Sequence, residues 1–147
     1  MDITSPSNPK LKHVVKLRTC STRDESGEMI VEGFRECRRA LDRGYRPYAI
    51  FHCPDFYLKN ENEAQLIADA EKAGAQVYAC TKTCFAKIAY KERPDGLLMV
   101  GPHVSIKLED LKLPPRALVL VTEAIEKPGN LGTILRSADA AGAAAVV

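Results

Sequence analysis

The sequence lacks the features of membrane and secreted proteins. No apolar run approaches the roughly 20 residues that a membrane-spanning helix needs, and no basic, apolar, small-residue leader opens the chain. We therefore expect no membrane partner and a cytoplasmic location. Apolar residues make up 46% of the 147 positions and charged residues 27%, a balance typical of an ordinary folded globular protein rather than a disordered chain.

Cysteine is present but lacks the spacing of a metal or redox motif. The five cysteines, at positions 20, 37, 53, 80 and 84, include no C-x-x-C pair. The closest two, Cys80 and Cys84, could share a zinc ion only with Cys53, His52 or the distant His103 as further ligands. This is weak support for a zinc site. We expect reduced, mostly structural thiols and no metal site.

The chain also lacks a large excess of positive or negative charge, because its net charge is only +2. The charged residues are nevertheless unevenly distributed along the sequence. Between Lys10 and Arg46 the chain carries ten cations against six anions, a local excess of four that would attract phosphates. The commoner use of such charges is a solvated helix face, and both interpretations stay open for this segment.

Apolar periodicity in the first hundred residues predicts alternating helices and strands. Turn and cap residues, including Asn60 before one helix and Thr81 before another, mark the boundaries. The pattern predicts helices at 10–18, 34–43, 61–73 and 82–88, strands at 29–32, 48–52, 76–80 and 97–100, and a polar loop at 20–28. Such alternation is typical of an α/β/α domain.

Residues 102–115 contain three prolines and little periodicity, which predicts a linker between domains. The apolar run at 118–121 beyond it is long enough for a strand buried on both faces. Apolar residues then recur at helical spacing, and a second apolar run follows Gly142. Strand, helix and strand in this order predict a βαβ unit of a parallel sheet.

The turn before this second-domain helix has the chemistry of a site. Asn130 is placed to cap the helix by accepting from its free amides. Gly132 and Arg136 lie one turn apart, so the arginine can reach over the space that the glycine leaves open. An equally simple interpretation is a plain βαβ unit whose exposed arginine has no function. Gly129-x-x-Gly132 also lacks the remaining residues of a dinucleotide or P-loop fingerprint.

These residues resemble a known family. The segment Glu126-Lys127-Pro128-Gly129-Asn130-Leu131-Gly132, followed by Arg136, is similar to the first motif of the SpoU (TrmH-type) RNA 2′-O-ribose methyltransferases of the SPOUT superfamily, although the family more often has Asp where Glu126 stands. Upstream, the family's amino-terminal domain is resembled by Arg23, Gly27, Val31-Glu32-Gly33 and Arg35.

The resemblance implies a three-layer α/β/α, ribosomal-protein-like RNA-binding domain at 1–101, a linker at 102–115, and at 116–147 the first βαβ unit of a knotted methyltransferase domain. It further implies S-adenosylmethionine as methyl donor, RNA as substrate (ribosomal RNA favoured, transfer RNA possible) and a homodimer. The donor-binding residues are expected beyond Val147, so we expect these 147 residues alone to be inactive.

The resemblance also assigns roles to residues. Asn130 and Arg136 are the expected catalytic residues. Arg23, Glu32 and Arg35 are expected to bind RNA on the same ground, and Lys10 and Lys12 are added to them as cations of the first helix that would contact phosphates. For Glu32 a second interpretation, a cap on the helix that follows it, is at least as good.

Two other functions remain open from the sequence. One is an RNA-binding module of ribosomal-protein-like fold without catalysis. The other is a small nucleotide-binding α/β enzyme that uses the Gly129-Asn130 turn for a phosphate.

Overall fold

The computed structural model describes residues 1–58, 62–104, 106–125 and 128–147, which fall into two compact units, 1–104 and 105–147. In the described part of the chain, no helix is both long and apolar enough to cross a membrane. The first unit contains five helices and five strands among its described residues: β1 (Asp2–Ile3), α1 (Pro9–Lys16), α2 (Cys20–Ser26), β2 (Glu28–Glu32), α3 (Phe34–Asp42), β3 (Ala49–His52), α4 (Asn62–Lys72), β4 (Gln76–Cys80), α5 (Lys82–Ile88) and β5 (Leu97–Pro102).

The five strands form one mixed sheet in the order β1-β4-β3-β5-β2. Strand β4 is parallel to both β1 and β3, whereas β5 is antiparallel to both β3 and β2. The short edge strand β1 was not predicted, because two residues carry no periodicity. It is held by its backbone: the Met1 ammonium donates to the Val77 carbonyl at 3.1 Å, and the Ala79 N–H donates to the Met1 carbonyl at 2.9 Å.

Helices cover both faces of this sheet and produce two hydrophobic cores. Strand β5 shows the arrangement, because successive side chains of a strand point to opposite faces. Leu98 and Val100 pack with the apolar residues of α1 and α5, while Leu97 and Met99 pack with those of α3 and α4. The predicted three-layer α/β/α domain is therefore confirmed.

The predicted polar loop at 20–28 is wrong, because most of it forms helix α2. This helix buries no residue, so it has no apolar stripe from which periodicity could be recognised. It ends at Gly27, which adopts the left-handed conformation with φ of 64°.

The N-terminal cap of α3 also differs from the one that the sequence suggested. Glu32 does not cap the helix that follows it; its carboxylate accepts from the backbone N–H groups of Tyr90 and Lys91, at 2.7 and 3.2 Å. The free N–H of Phe34 instead donates to Asp95 Oδ2 at 2.8 Å, from 61 residues away. A cap so distant in sequence leaves no local signal. The predicted Asn60 cap of α4 lies outside the described residues.

The second unit contains β6 (Val119–Leu120), α6 (Pro128–Ala140) and β7 (Ala145–Val146), preceded by a 3₁₀ turn at Leu108–Asp110. Strands β6 and β7 pair in parallel, which confirms the predicted βαβ unit. The expectation that 118–121 is buried on both faces is wrong for the described structure, since Leu118 is 54% exposed and Val121 is 74% exposed. Apolar composition shows that a strand favours burial but not whether other elements cover it.

Helix α6 begins three residues earlier than an N-cap at Asn130 would place it. It starts at Pro128, so Asn130 lies inside the first turn and is not the N-cap. Proline suits a first helical position because the N–H that it lacks would have no partner there and its φ is already helical.

Candidate functional site

The first part of the candidate site is the initial two turns of α6. A side-chain carbon added at Gly132 would meet the Arg136 Nη1 atom at 3.5 Å and no closer atom outside the local helix backbone. The arginine therefore lies over the glycine, as the spacing suggested. Arg136 Nη2 donates to Thr133 Oγ1 at 3.1 Å, and the Thr133 hydroxyl in turn donates to the Gly129 carbonyl at 3.0 Å.

This chain of hydrogen bonds leaves the guanidinium charged and accessible. Arg136 is exposed, and no carboxylate among the described residues forms an ion pair with it. Asn130 is also exposed, in the first turn of the same helix, where backbone N–H groups lack intrahelical partners. The arrangement presents a fixed cation and a polar amide to solvent, which suits a substrate carrying negative charge. Glu126 and Lys127 of the same motif lie outside the described residues.

The second part is a cavity of about 550 Å³ in residues 1–104, beside the edge strand β2. We call it the arginine cavity. Its polar and aromatic lining consists of Arg18, Arg23, Glu32, Tyr90, Lys91 and His103. Three permanent cations thus face one carboxylate, and both oxygens of that carboxylate already accept backbone hydrogen bonds.

Both arginines are fixed by carbonyls at helix ends. Arg23 Nη1 donates to the carbonyls of Leu17 and Arg18, just beyond α1, at 3.2 and 2.9 Å. Arg18 Nη2 donates to those of Lys87 and Ala89, at the end of α5, at 3.0 and 2.7 Å. The carbonyl end of a helix carries partial negative charge. Each arginine neutralises one such end with a single nitrogen, and its other nitrogens have no recorded partner among the described residues.

The remaining predicted RNA-binding residues do not converge on this cavity. Arg23 and Glu32 share it, but Lys10 lines a separate cavity of about 430 Å³, where its Nζ lies 4.8 Å from the centre of the Tyr78 ring. Lys12 is exposed on α1. Arg35 lines a third cavity, of about 510 Å³. Lys10 and Arg35 thus line cavities other than the arginine cavity, although Lys91 lines both the cavity of Arg35 and the arginine cavity.

Four residues of the cavity are absent from the expected RNA-binding residues: Arg18, Tyr90, Lys91 and His103. Arg18 was counted only among the basic residues of the first helix. Its position at the end of that helix could have indicated its role, because a long cationic side chain there can reach backbone carbonyls. No local sequence feature indicated His103, because its backbone N–H donates to the carbonyl of Gly27 at 2.7 Å, and Gly27 lies 76 residues earlier in the chain. Only the fold brings these residues together.

The thiols lie mainly inside the molecule. Cys20 is exposed, whereas Cys37, Cys53, Cys80 and Cys84 are buried. Burial raises the pKa of the Cys37 and Cys80 thiols to about 12, so both stay protonated at neutral pH. In the described ranges, no group of three or more His, Cys, Asp or Glu side chains is arranged to hold a metal ion.

Comparison with known proteins identifies the family. Residues 8–99 match the MRM3-like substrate binding domain. The 23S rRNA (guanosine(2553)-2′-O)-methyltransferase RlmP of Bacillus subtilis is 31% identical over 145 residues, which cover 99% of this chain and 53% of that protein. The chain thus spans about half the length of the curated relatives it matches.

Solved structures agree with the sequence match. A crystal structure of an RNA 2′-O ribose methyltransferase is similar with a TM-score of 0.79 and 35% identity, over 99% of this chain and 54% of that one. An AdoMet-bound rRNA methyltransferase from Sinorhizobium meliloti has a TM-score of 0.84 at 25% identity, over 99% and 53%. The chain therefore belongs to the family of the MRM3-like substrate-binding domain and fits the amino-terminal part of the SpoU (TrmH-type) proteins, which confirms the resemblance read from its motif.

Proposed function

We propose that the protein containing this chain transfers a methyl group from S-adenosylmethionine to a ribose 2′-hydroxyl of RNA, with ribosomal RNA as the favoured substrate. The observation that carries the proposal is Arg136 fixed over Gly132 at the start of α6. It occurs in a chain whose relatives are named as ribosomal RNA methyltransferases.

The chemistry explains why a fixed cation matters. Methyl transfer requires the 2′-oxygen to approach the donor methyl in line while its proton is lost or shared. Negative charge then develops on that oxygen. A guanidinium remains protonated in proteins, so Arg136 cannot act as the base. Its role is to stabilise the developing charge and the neighbouring phosphate.

Thr133 serves as a positioning residue for this cation. Its hydroxyl proton is used by the Gly129 carbonyl, so its oxygen is free to accept from Arg136. This orientation keeps the guanidinium over Gly132 before substrate binds, which reduces the reorganisation needed during reaction. Asn130, one and a half turns before the arginine, orients the nucleotide through its exposed amide.

The three cavities described above are lined wholly by residues of 1–104, and Asn130 and Arg136 line none of them. S-adenosylmethionine, when bound, supplies the methyl group from its sulfonium, and the sulfur would leave as a neutral thioether.

The proposal divides the chain as the sequence did. Residues 1–101 bind the RNA, 102–115 connect, and 116–147 belong to the methyltransferase domain. Support for the first assignment is the match of 8–99 to a substrate-binding domain. A homodimer and transfer RNA as an alternative substrate are further parts of the proposal, and they rest on the family alone. A cytoplasmic location is also part of the proposal, and it rests on the sequence.

The decisive experiment uses the full-length protein with Arg136→Ala in a single-turnover assay with labelled methyl donor and ribosomal RNA. Removing a group that stabilises developing charge is expected to lower the methylation rate by about 100-fold or more. RNA affinity is expected to stay within about tenfold, because one charge contact contributes roughly 1–3 kcal/mol at most. Lys112→Ala, an exposed cation of the same unit, is the matched control and should leave the rate unchanged.

The outcomes separate the candidate functions. Methylation retained by Arg136→Ala would contradict the role of this residue. Absence of donor-dependent product from the unaltered protein, with RNA binding intact, would instead favour a binding module without catalysis. Saturable binding of ATP or NAD without affinity for RNA would favour a nucleotide-binding enzyme.

A further inference from the structure

The arginine cavity has the size and charge of a nucleotide-binding site. Its volume of about 550 Å³ lies within the range of roughly 300–1,000 Å³ found for ligand pockets. Arg18, Arg23 and Lys91 supply positive charge, although Lys91 also forms an ion pair with Glu36 at 3.3 Å, and His103 adds a polar ring to the lining. The one carboxylate, on Glu32, is already held by two backbone N–H groups, which reduces its repulsion of an anion.

The cations are fixed before any ligand binds. Arg18 and Arg23 each commit one nitrogen to helix-end carbonyls from separate parts of the chain. A guanidinium held in this way loses little further freedom on pairing with a phosphate, and its planar fork still offers other donors. The carbonyl ends of α1 and α5 would otherwise repel a phosphate. The arginines therefore make this part of the unit favourable for an anion.

An aromatic ring stands beside these cations. Tyr90 is 77% exposed, although its backbone is fixed by the 2.7 Å hydrogen bond from its N–H to Glu32. Most tyrosines bury part of their ring, so an exposed ring on an anchored backbone offers a flat surface for a ligand. Bases stack on such rings only when they are unpaired or unstacked from their neighbours.

We propose that the arginine cavity binds an unpaired nucleotide of the RNA substrate, with its base stacked on Tyr90 and its phosphate paired with Arg18, Arg23 and Lys91. The proposal deepens the proposed function and rests on it for the identity of the ligand as RNA. It assigns the role of Glu32 as well: this residue positions the stacking tyrosine and does not contact RNA.

The cavity that contains Lys10 supplies the contrast. Its tyrosine, Tyr78, is buried and already covered by the Lys10 ammonium. Its histidine, His13, is hydrogen-bonded to the Glu28 carboxylate at 2.5 Å. Because Lys91 of the arginine cavity is also paired, with Glu36 at 3.3 Å, the contrast between the two cavities rests on their tyrosines: Tyr78 is buried, whereas Tyr90 is exposed. Tyr48 lines it and is 54% exposed, which makes it a matched control for Tyr90.

The test measures binding of a fluorescently labelled single-stranded oligoribonucleotide to the 147-residue chain by anisotropy, beside the duplex formed with its complement. Tyr90→Ala should weaken single-strand binding by about tenfold, because the stacking surface is lost. Tyr90→Phe, which keeps the ring, should stay within about twofold, and Tyr48→Ala should have no effect. Duplex affinity should be the same for all four proteins. Circular dichroism confirms that each variant is folded.

Several results would overturn the proposal. These are single-strand affinity unchanged in Tyr90→Ala, equal weakening of single strand and duplex, the same loss in Tyr48→Ala, or no single-strand binding by the unaltered chain. Failure of the proposed function is recognised separately, by absence of donor-dependent methylation from the unaltered full-length protein. If that protein methylates RNA while Tyr90→Ala binds single strands normally, only the cavity assignment is wrong.

Discussion

The two units of the chain use similar elements but differ in how much they bury. All nine aromatic residues lie between positions 34 and 90, in residues 1–104. There the sheet is covered on both faces, and Phe85, Leu97 and Met99 have no exposed surface. In residues 105–147 the only described hydrophobic side chain that is buried is Ala138, while Leu131 is 40% exposed. Apolar periodicity therefore predicts helices and strands in both units but a core in only one.

The units also differ in how they hold their functional cations. Arg136 is fixed by Thr133, three residues earlier on the same helix. Arg18 is fixed by carbonyls about 70 residues away. The site in α6 is therefore local and recognisable as a short motif, whereas the arginine cavity depends on the tertiary fold. Three further measurements test this contrast between the units.

The largest expected effect compares Phe85→Ala with Leu135→Ala. Phe85 is fully buried, and its ring centre lies 5.9 Å from that of Phe56, so truncation should cost about 3–5 kcal/mol of unfolding free energy. Leu135 is 47% exposed, and its truncation should cost about 0.5 kcal/mol or less. Urea denaturation followed by far-ultraviolet circular dichroism measures both losses, because both units contain helices. Equal losses for the two variants would show that the second unit contains a core after all.

The next effect is alkaline destabilisation of the first unit. Burial raises the pKa of Cys37 and Cys80 from 9.0 to about 12. Below pH 9 these thiols are protonated in both the folded and the unfolded state. Between about pH 9 and 12 the unfolded state loses protons that the folded state keeps, so stability falls as pH rises.

At pH 10 the loss from these two thiols should be on the order of 1–3 kcal/mol. Burial also raises the pKa of Tyr45 and Tyr57 to about 12, which adds in the same direction at higher pH. Residues 105–147 contain no cysteine or tyrosine. Urea titrations at pH 8, 9 and 10 measure the slope, and Cys80→Ala should flatten it. A stability independent of pH across this range would refute the burial of these groups.

The smallest effect separates the two helix starts. Asp95→Ala removes the acceptor of the Phe34 N–H and should cost about 1 kcal/mol, the typical value of a cap. Asn130→Ala should change the unfolding free energy by less than about 0.5 kcal/mol, because this residue lies inside α6 and caps nothing. Thermal unfolding of both variants measures the difference. A larger loss for Asn130→Ala would restore the capping role that the sequence first suggested.

Much of the architecture was predictable because it follows from local chemistry. Strand β4 and helix α5 match their predicted bounds, and Thr81 caps α5 as expected, accepting from the Cys84 N–H at 3.4 Å. Periodicity and cap residues within each segment carry that information. The same reasoning failed for α2, whose residues are polar throughout, and for β1, which exists only through pairing with β4.

The residues of the candidate site also divide into those that local sequence predicted and those that only the fold brings together. A short stretch of sequence by itself determined the α6 motif, its family and the closeness of Arg136 to Gly132, because residues one helical turn apart must be neighbours. The tertiary structure decided that Asp95 caps α3, that Glu32 holds Tyr90, and that Arg18, Arg23 and Lys91 face one cavity. Those contacts join residues that are mostly far apart in the chain, and only the packing of the sheet with its helices fixes which of them meet.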